Sequence, residues 1–418
     1  MRATKDSGLE WIGVIPAGWS LSKIGQVYRL RNTKVSDTDY PPLSVTNKGI
    51  VPQLDTAAKT NAHDDRKLVK RGDFAINSRS DRRGSCGISD YDGSVSLINT
   101  ILAPLNEMNS GYYDWLFHTV QFGDEFYKFG HGIVDDLWTT GWQEMKKITI
   151  PTPPLHEQQR IADFLDAKCA EIDALTADIQ TQIDTLEQYK RSVITEAVTK
   201  GLNPDAEMKD SGIEWVGEIP AHWLVHPVYY YYGERKNKNY LGKEDNLLSL
   251  SYGRVVRKDI NTSDGLLPES FNTYNIVETG DIIIRPTDLQ NDKRSLRTGL
   301  VKEHGIITSA YIDLCPIKQV DSRYFYFLLH AYDVMKVFYN MGNGVRQGLN
   351  YSEFSRLMVF EPPYDEQVAM ADYLEAKVEE VDVVISDKKA QLATLDEYKK
   401  SLIFEYVTGK KEVSEGAD

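Results

Sequence analysis

The chain has 418 residues, of which 41% are hydrophobic and 26% charged, and its formal net charge at pH 7 is −14. This composition is typical of a globular protein with two or three domains, and no apolar run is long enough to predict a membrane span or a secretion signal. The widely spaced Cys86, Cys169 and Cys315 form no disulfide or zinc pattern, so we expect a cytoplasmic protein.

The first segment, residues 1–155, opens with a phrase that returns later in the chain. Residues 5–19 read KDSGLEWIGVIPAGW and residues 209–223 read KDSGIEWVGEIPAHW. This segment mixes short β-like runs with an aromatic helical stretch. It also contains a local basic stretch, from Arg66 to Arg83, with seven basic and two acidic residues. A repeated phrase indicates a repeated structural unit.

The second segment, residues 156–200, is predicted to be one long helix. It contains no Gly or Pro, it follows the pair Pro153–Pro154, and it ends before Gly201. Residues 201–364 then form a second mixed segment, and 365–408 a second long helix that repeats the first at an offset of 209. A polar tail, 409–418, completes the expected domain order.

Apolar residues in both predicted helices recur at alternating spacings of four and three. This pattern predicts that the two helices pair with each other, although a long amphipathic helix lying on a globular domain is the alternative. The expected seam consists of Ile161, Leu165, Ile172, Leu175, Ile179, Leu186, Met370, Leu374, Val381, Val384, Leu395 and Leu402.

Candidate binding residues cluster in a loop at equivalent places of the two mixed segments. Arg suits guanine or phosphate, Asn and Gln suit adenine, and Ser or Thr can hold the DNA backbone. A solvated loop with ordinary charges is the alternative. The candidates are Asn77, Arg79, Ser80, Arg82 and Arg83 in the first half, and Arg285, Thr287, Gln290, Asn291, Lys293, Arg294 and Arg297 in the second, with Arg346 and Gln347 from a glycine loop as weaker candidates.

We found no catalytic or metal-binding motif. EPPY at 361–364 resembles the end of an adenine methyltransferase motif, but Glu361 stands where that motif needs Asn or Asp. The tyrosines at 229–232 and the pair Trp138 and Trp142 favour packing over base stacking. Catalytic residues and metal ligands are therefore not expected in this chain.

The order of these features resembles the specificity subunits of type I restriction–modification systems. The strings that carry the resemblance are PPLHEQQRIADFLDAK, GLNPDAEMKDSGIEWVGEIPAHW and the second helix start at 365–377, DEQVAMADYLEAK. The resemblance implies an α+β chain: two pseudo-symmetric α/β target-recognition domains separated by two long antiparallel coiled-coil helices.

The same resemblance implies a non-catalytic subunit that binds double-stranded DNA. We expect an asymmetric, bipartite target with half-sites about one helical turn apart. Two methylation subunits would bring S-adenosylmethionine and methylate adenine N6, and restriction subunits would bring ATP and Mg²⁺. The rival hypotheses are a self-sufficient adenine methyltransferase and a structural adaptor with two protein-binding domains.

Overall fold

The chain forms two compact units in the computed structural model. The structure describes residues 2–53, 64–79, 84–132, 138–213, 216–260, 270–287, 289, 296–339, 341 and 348–413. Unit 1 comprises Met1–Ile179 and Lys389–Asp418, and unit 2 comprises Gln180–Lys388. Each long helix therefore contributes one part to each unit.

Unit 1 is built from short antiparallel strands and short helices. Its four-stranded sheet has the order β10-β9-β12-β4, and a three-stranded sheet has the order β11-β8-β5. The strands are β1 (Thr4–Asp6), β2 (Val14–Pro16), β3 (Ser20–Lys23), β4 (Tyr28–Leu30), β5 (Lys34–Val35), β6 (Leu43–Thr46), β7 (Gly49–Pro52), β8 (Arg66–Val69), β9 (Phe74–Asn77), β10 (Cys86–Ile88), β11 (Gly93–Val95), β12 (Asn99–Pro104) and β13 (Thr149–Thr152). The helices are α1 (Ile24–Val27), α2 (Ser110–Phe117), α3 (Val120–Lys128) and α4 (Trp142–Met145), followed by the start of α5 (Leu155–Lys200).

Unit 2 repeats this plan with a different sequence. Its four-stranded sheet has the order β17-β24-β21-β22, and three pairs, β14-β15, β16-β25 and β18-β19, match pairs of unit 1. The strands are β14 (Met208–Asp210), β15 (Glu218–Pro220), β16 (Leu224–Pro227), β17 (Tyr232–Glu234), β18 (Leu248–Ser251), β19 (Arg254–Arg257), β20 (Asn275–Val277), β21 (Ile282–Ile284), β22 (Thr298–Leu300), β23 (Gly305–Ile307), β24 (Ile312–Pro316) and β25 (Met358–Glu361). The helices are α6 (Ser322–Val334), α7 (Tyr351–Phe354) and α8 (Tyr364–Val407), with a 3-10 turn at Val228–Tyr230.

The mixed helix and antiparallel strand content of each unit confirms the predicted α+β class. The helices predicted over 156–200 and 365–408 are found as α5 and α8, of 46 and 44 residues. Their length follows from an uninterrupted run of residues that tolerate a helix, with prolines only before each start.

Within each unit the two long helices run antiparallel. In unit 1, Phe164 of α5 packs on Tyr406 of α8 with ring centroids 4.4 Å apart, and Asp173 accepts from Lys399 Nζ at 2.6 Å. In unit 2, Lys190 Nζ donates to Asp382 at 2.7 Å. Rising numbers on α5 therefore meet falling numbers on α8, as the mutual helix pair predicted.

The buried stripe of α5 has a different period from the predicted one. Ile161, Ile172, Ile183 and Ile194 lie eleven residues apart and are 4%, 9%, 4% and 3% exposed. A straight helix returns to the same face after eleven residues, whereas an unbroken heptad requires supercoiling. The seam therefore passes through Ile183, which the alternating four-and-three pattern did not select.

The predicted seam needs two corrections. Leu175 is 47% exposed and Val384 is 40% exposed, so neither lies in the helix contact. They occupy equivalent positions of the repeat, and both lie outside the buried face because the period of the buried residues is longer than 3.5 residues. Of the other predicted members, Leu186 and Leu395 are half-buried, and the buried ones are Ile161, Leu165, Ile172, Ile179, Met370, Leu374, Val381 and Leu402.

The repeated phrase holds the ends of the long helices. In unit 1, Trp19 Nε1 donates to Glu157 Oε2 at 2.9 Å, near the start of α5. In unit 2, Trp223 Nε1 donates to Glu366 Oε2 at 3.0 Å, near the start of α8. Each tryptophan is buried and also packs on the glycine that ends the other long helix, Gly409 in unit 1 and Gly201 in unit 2.

The glutamine after each glutamate ties the long helix to the globular part of its unit. Gln158 Oε1 accepts from Asn109 N at 2.9 Å, and Gln367 Oε1 accepts from Asp321 N at 3.0 Å. Asn109 and Asp321 are the N-caps of α2 and α6. The shared Glu-Gln dipeptide is thus a structural device that anchors each globular body to its helix pair.

Candidate nucleic-acid interface

The candidate loop of unit 1 leaves the end of β9 between fixed backbone anchors. Asn77 N donates to Ser85 O at 2.8 Å, and Thr140 N donates to Ser78 O at 2.9 Å. Asn77 Oδ1 accepts from Arg79 N at 3.0 Å, which fixes the turn by which the chain leaves the strand. The Arg79 side chain is exposed beyond these anchors.

The candidate loop of unit 2 leaves the end of β21 in the same way. Arg285 N donates to Arg297 O at 2.8 Å, and Leu349 N donates to Pro286 O at 3.0 Å. Arg285 is half-buried and Thr287 is exposed. Each anchor of unit 1 therefore has a counterpart in unit 2, and Asn-Ser-Arg at 77–79 corresponds to Arg-Pro-Thr at 285–287.

Two segments that the sequence selected separately are neighbours in unit 2. The bond from Leu349 to Pro286 places the residue that follows the glycine loop beside the start of the basic loop. In unit 1, Thr139 forms bridges with both Arg79 and His131. His131 and Leu349, of the glycine-containing segments 129–137 and 341–349, therefore lie beside the starts of the two candidate loops.

Nine of the predicted binding residues lie outside the described part of the chain. They are Ser80, Arg82, Arg83, Gln290, Asn291, Lys293, Arg294, Arg346 and Gln347. Their assignment stays a prediction. Among the described candidates, Arg79 and Thr287 are exposed, Arg285 is half-buried, and Asn77 and Arg297 are buried.

The prediction for Arg297 is wrong. Its side chain is fully buried, with the guanidinium 5.3 Å from the centre of the Tyr339 ring and Nε donating to Tyr339 Oη at 3.0 Å. It also donates to Thr287 O, and its backbone N donates to the Asp333 carboxylate. Arg297 therefore supports the loop from below and is not available to a ligand of the exposed surface.

Part of the basic stretch in unit 1 is also structural. Arg66 is 6% exposed, and its guanidinium donates to Ser94 Oγ at 2.8 Å and to Ser94 O at 2.9 Å. Lys67 Nζ donates to Asn99 O at 2.7 Å. Burial lowers the pKa of both side chains from their ordinary values. Arg66 and Lys67 are therefore structural, whereas Lys70, Arg71 and Arg79 are the exposed basic residues in the described part of this stretch.

Sequence reasoning missed the ion pair that braces the candidate strand in each unit. Arg31 binds both carboxylate oxygens of Asp73 at 2.5 and 3.1 Å, just before β9. Arg235 binds both oxygens of Asp281 at 2.7 and 3.0 Å, just before β21. The shared Gly-Asp dipeptide was the available signal, since each aspartate also accepts a backbone N–H of its own turn.

The aromatic residues behave largely as packing predicts. Tyr231 and Tyr232 are buried, whereas Tyr230 stacks on His226 with ring centroids 4.2 Å apart. Trp138 stacks on the Tyr127 ring with centroids 5.2 Å apart and donates to Tyr127 O at 3.0 Å. None of these groups gathers into a catalytic arrangement.

Within the described ranges, no three His, Cys, Asp or Glu side chains are grouped so that they could hold a metal ion. No helix in the part of the chain that the structure describes is both long and apolar enough to cross a membrane.

Comparison with known families identifies the domain that carries the first loop. A family model described as the type I restriction modification DNA specificity domain matches residues 16–185. Residues 16–185 are thus similar to that specificity domain. The matched specificity domain includes β9, the loop at 77–84 and the first half of α5, so the anchors described above lie inside it.

Similarity to specificity subunits extends beyond that domain. The type I restriction enzyme MjaVIII specificity subunit of Methanocaldococcus jannaschii is 25% identical over 346 residues, covering 76% of this chain and 75% of that protein. A protein of the same organism, named provisionally as the MjaX specificity subunit, is 25% identical over 273 residues, covering 64% of this chain. The match spans only 60% of the MjaX protein's length. These findings confirm the resemblance inferred from the motifs.

Two solved structures share the fold. A chain from a structure described as the basis of complex assembly and conformational transition of the type I R-M system gives a TM-score of 0.72 at 13% identity, covering 95% of this chain and 99% of that one. The HsdS subunit from Thermoanaerobacter tengcongensis gives 0.51 at 14% identity, covering 95% and 98%. The whole specificity-subunit fold is therefore present here, including both long helices.

Proposed function

We propose that this chain is the DNA-recognition subunit of a type I restriction–modification complex. Unit 1 reads one half of a split double-stranded DNA target and unit 2 reads the other. The chain selects the site and leaves the chemistry to its partners. This proposal gives both repeated units the same task with different targets.

The observation that carries the proposal is the pair of equivalent but dissimilar loops. Asn77-Ser78-Arg79 and Arg285-Pro286-Thr287 leave the equivalent strands β9 and β21 of the two four-stranded sheets, yet differ at every position. A shared frame with different reading groups is what an asymmetric target requires. An exposed arginine such as Arg79 can bind phosphate or the major-groove edge of guanine.

The charge distribution supports the same proposal. Residues 157–199 carry nine acidic and four basic side chains, and residues 366–408 carry ten and five. Acidic helices repel phosphates, which leaves DNA binding to the globular parts of the units. The net charge of −14 is thus compatible with DNA binding because the excess acid is on the long helices.

The partners would supply every catalytic step. Two methylation subunits would bind S-adenosylmethionine and transfer its methyl group to adenine N6, and restriction subunits would use ATP and Mg²⁺. The subunits would assemble on this chain in the cytoplasm. A structural adaptor that reads no DNA is the rival proposal.

The deciding experiment is sequencing of N6-methyladenine in cells that express this chain with its methylation partner. We expect one split, asymmetric motif that disappears when the chain is deleted. Methylation that persists unchanged without the chain would favour the adaptor.

Single-unit variants sharpen this test. Arg79→Ala should relax or abolish recognition in one half of the motif, and Arg285→Ala should act on the other half. Lys400→Ala, which removes an exposed lysine of α8 that pairs with Asp396 and Glu397, is the matched control and should leave the motif intact. If both loop variants methylate the unaltered motif at the normal rate, these two residues do not read the target.

A further inference from the structure

Unit 1 contains an aromatic cavity beside its candidate loop. The cavity has a volume of about 230 Å³ and lies between β9 and α3. An engineered apolar cavity of about 150 Å³ is known to hold benzene. A space of this size therefore accommodates a flat bicyclic ring. Its aromatic lining comes from Phe117, Phe122, Phe126, Tyr127 and Trp138.

Two buried polar side chains supply specific hydrogen-bonding groups to this cavity. Asn77 is 4% exposed and lines the cavity, with its Oδ1 accepting from Arg79 N at 3.0 Å. Thr140 is 2% exposed and donates its hydroxyl proton to Phe126 O at 2.8 Å, so its Oγ1 can act toward a ligand only as an acceptor. An amide and a hydroxyl in the wall of an aromatic cavity can each form a hydrogen bond with a polar group of a ligand.

Unit 2 shows what the equivalent place accepts. Ser85 in unit 1 corresponds to Arg297 in unit 2, because each carbonyl accepts from the N–H at the end of the central strand. The flat Arg297 guanidinium lies against the Tyr339 ring there. Unit 2 thus places a planar side chain of its own against an aromatic ring, at the position that Ser85 holds in unit 1.

We propose that the cavity of unit 1 binds a purine base that is unstacked from the DNA target. The aromatic walls suit stacking, while Asn77 and Thr140 suit a ring that carries both an acceptor and a donor. A guanidinium carries no acceptor and cannot accept from Asn77 Nδ2, so a nucleobase fits better. Arg79 lies at the same loop and can hold the adjoining phosphate. This inference rests on the proposed function.

Gly123 allows the cavity to be closed without disturbing the fold. It lines the cavity within α3, and a Cβ added there meets no atom within 4 Å. Gly123→Phe should fill the space, whereas Gly123→Ala should leave most of it open. Ser85→Arg is a second closing variant, since it copies the side chain of unit 2.

The first test uses free nucleosides and the full-length chain. Adenosine, guanosine, cytidine and thymidine are titrated at millimolar concentrations and followed by saturation-transfer NMR. We expect binding of a purine nucleoside that Gly123→Ala retains and that Gly123→Phe and Ser85→Arg weaken at least about tenfold. The absence of nucleoside binding, or binding that Gly123→Phe leaves unchanged, overturns the proposal. So does tighter binding of N-acetylarginine amide, which would make the cavity a protein-docking site.

The second test uses the complex on its own DNA target, with 2-aminopurine placed at each purine of the motif. We expect increased fluorescence at one position of the half read by unit 1, and its loss in Gly123→Phe. Nucleoside binding without such a position overturns the assignment to DNA. If no motif exists because the chain does not read DNA, the methylation experiment reports that failure separately.

Discussion

Asp313 offers the sharpest test of the structural comparison between the units. It lies on β24 opposite Ile283, where unit 1 has Ile101 on β12 opposite Ala75. The Asp313 carboxyl is 1% exposed, and within the described residues neither oxygen has a hydrogen-bond partner. The nearest cation is Arg235, at 3.9 Å and already engaged by another carboxylate.

Burial, and to a smaller extent the neighbouring Asp281 carboxylate, together raise the pKa of Asp313 from 3.8 to about 8. At neutral pH the unfolded chain carries this group ionised and the folded chain carries it protonated. Its contribution to stability is therefore greatest below pH 3.8 and is lost as the pH rises toward 8. At 1.36 kcal/mol per pKa unit, the cost at pH 7 reaches about 4 kcal/mol.

We therefore expect Asp313→Ile, which restores the unit 1 side chain, to stabilise unit 2 by roughly 2–4 kcal/mol at pH 7. The gain should be smaller near pH 5 and largest near pH 8. Hydrogen exchange of unit 2 peptides, measured by mass spectrometry across this pH range, reports the opening free energy of unit 2 separately from unit 1.

The reciprocal variant Ile101→Asp is the control, and it should destabilise unit 1 with the same pH dependence. The reasoning is refuted if Asp313→Ile leaves the pH dependence of unit 2 exchange as it is in the unaltered chain. It is equally refuted if the substitution destabilises unit 2 at pH 8.

Three further substitutions test the frame. Ile183→Ala should lower the free energy of unfolding, measured by urea denaturation, by about 2–4 kcal/mol because it leaves a cavity in the buried seam. Leu175→Ala should lower it by less than about 1 kcal/mol, and equal losses would support the heptad seam instead. Arg297→Ala should cost about 1–3 kcal/mol, because Thr287 O and Tyr339 Oη lose their buried donor, and it should be seen as faster proteolysis of unit 2. A stable variant with altered target choice would contradict a supporting role. Gly201→Ala should lower the thermal midpoint, since its φ is +75° and a Cβ lies 3.2 Å from Trp223; an unchanged midpoint would argue against this helix stop.

The sequence predicted the architecture because its strongest signals are local. Two glycine-free blocks between proline pairs and glycine stops are enough to place α5 and α8 to within a residue. The residues of their seam were less predictable, since a seven-residue repeat and an eleven-residue repeat select nearly the same face of a helix over a short stretch. This small difference in period decides that Ile183 is buried in the seam and Leu175 is exposed.

The candidate site was only partly predictable because a charged side chain in a basic stretch can face either way. Arg79 and Arg297 occur in similar polar sequences, yet one is exposed and the other is buried against Tyr339. Contacts with residues distant in the sequence determine which arginine is buried, and the neighbouring residues do not predict those contacts. The bracing of Asp73 by Arg31 was missed for the same reason, since the partners are 42 positions apart.

The anchors at the helix ends have a consequence for how such chains diversify. In unit 1, the globular body lies along the chain between Trp19 and the Glu157-Gln158 dipeptide. In unit 2, it lies between Trp223 and the Glu366-Gln367 dipeptide. A recombination event with crossovers in the repeated phrase and at the Glu-Gln dipeptide would exchange an entire reading surface. The tryptophan–glutamate bond would be regenerated because both of its residues lie in the matching flanks, and the glutamine would again accept from a backbone N–H at the N-cap of a helix in the incoming body.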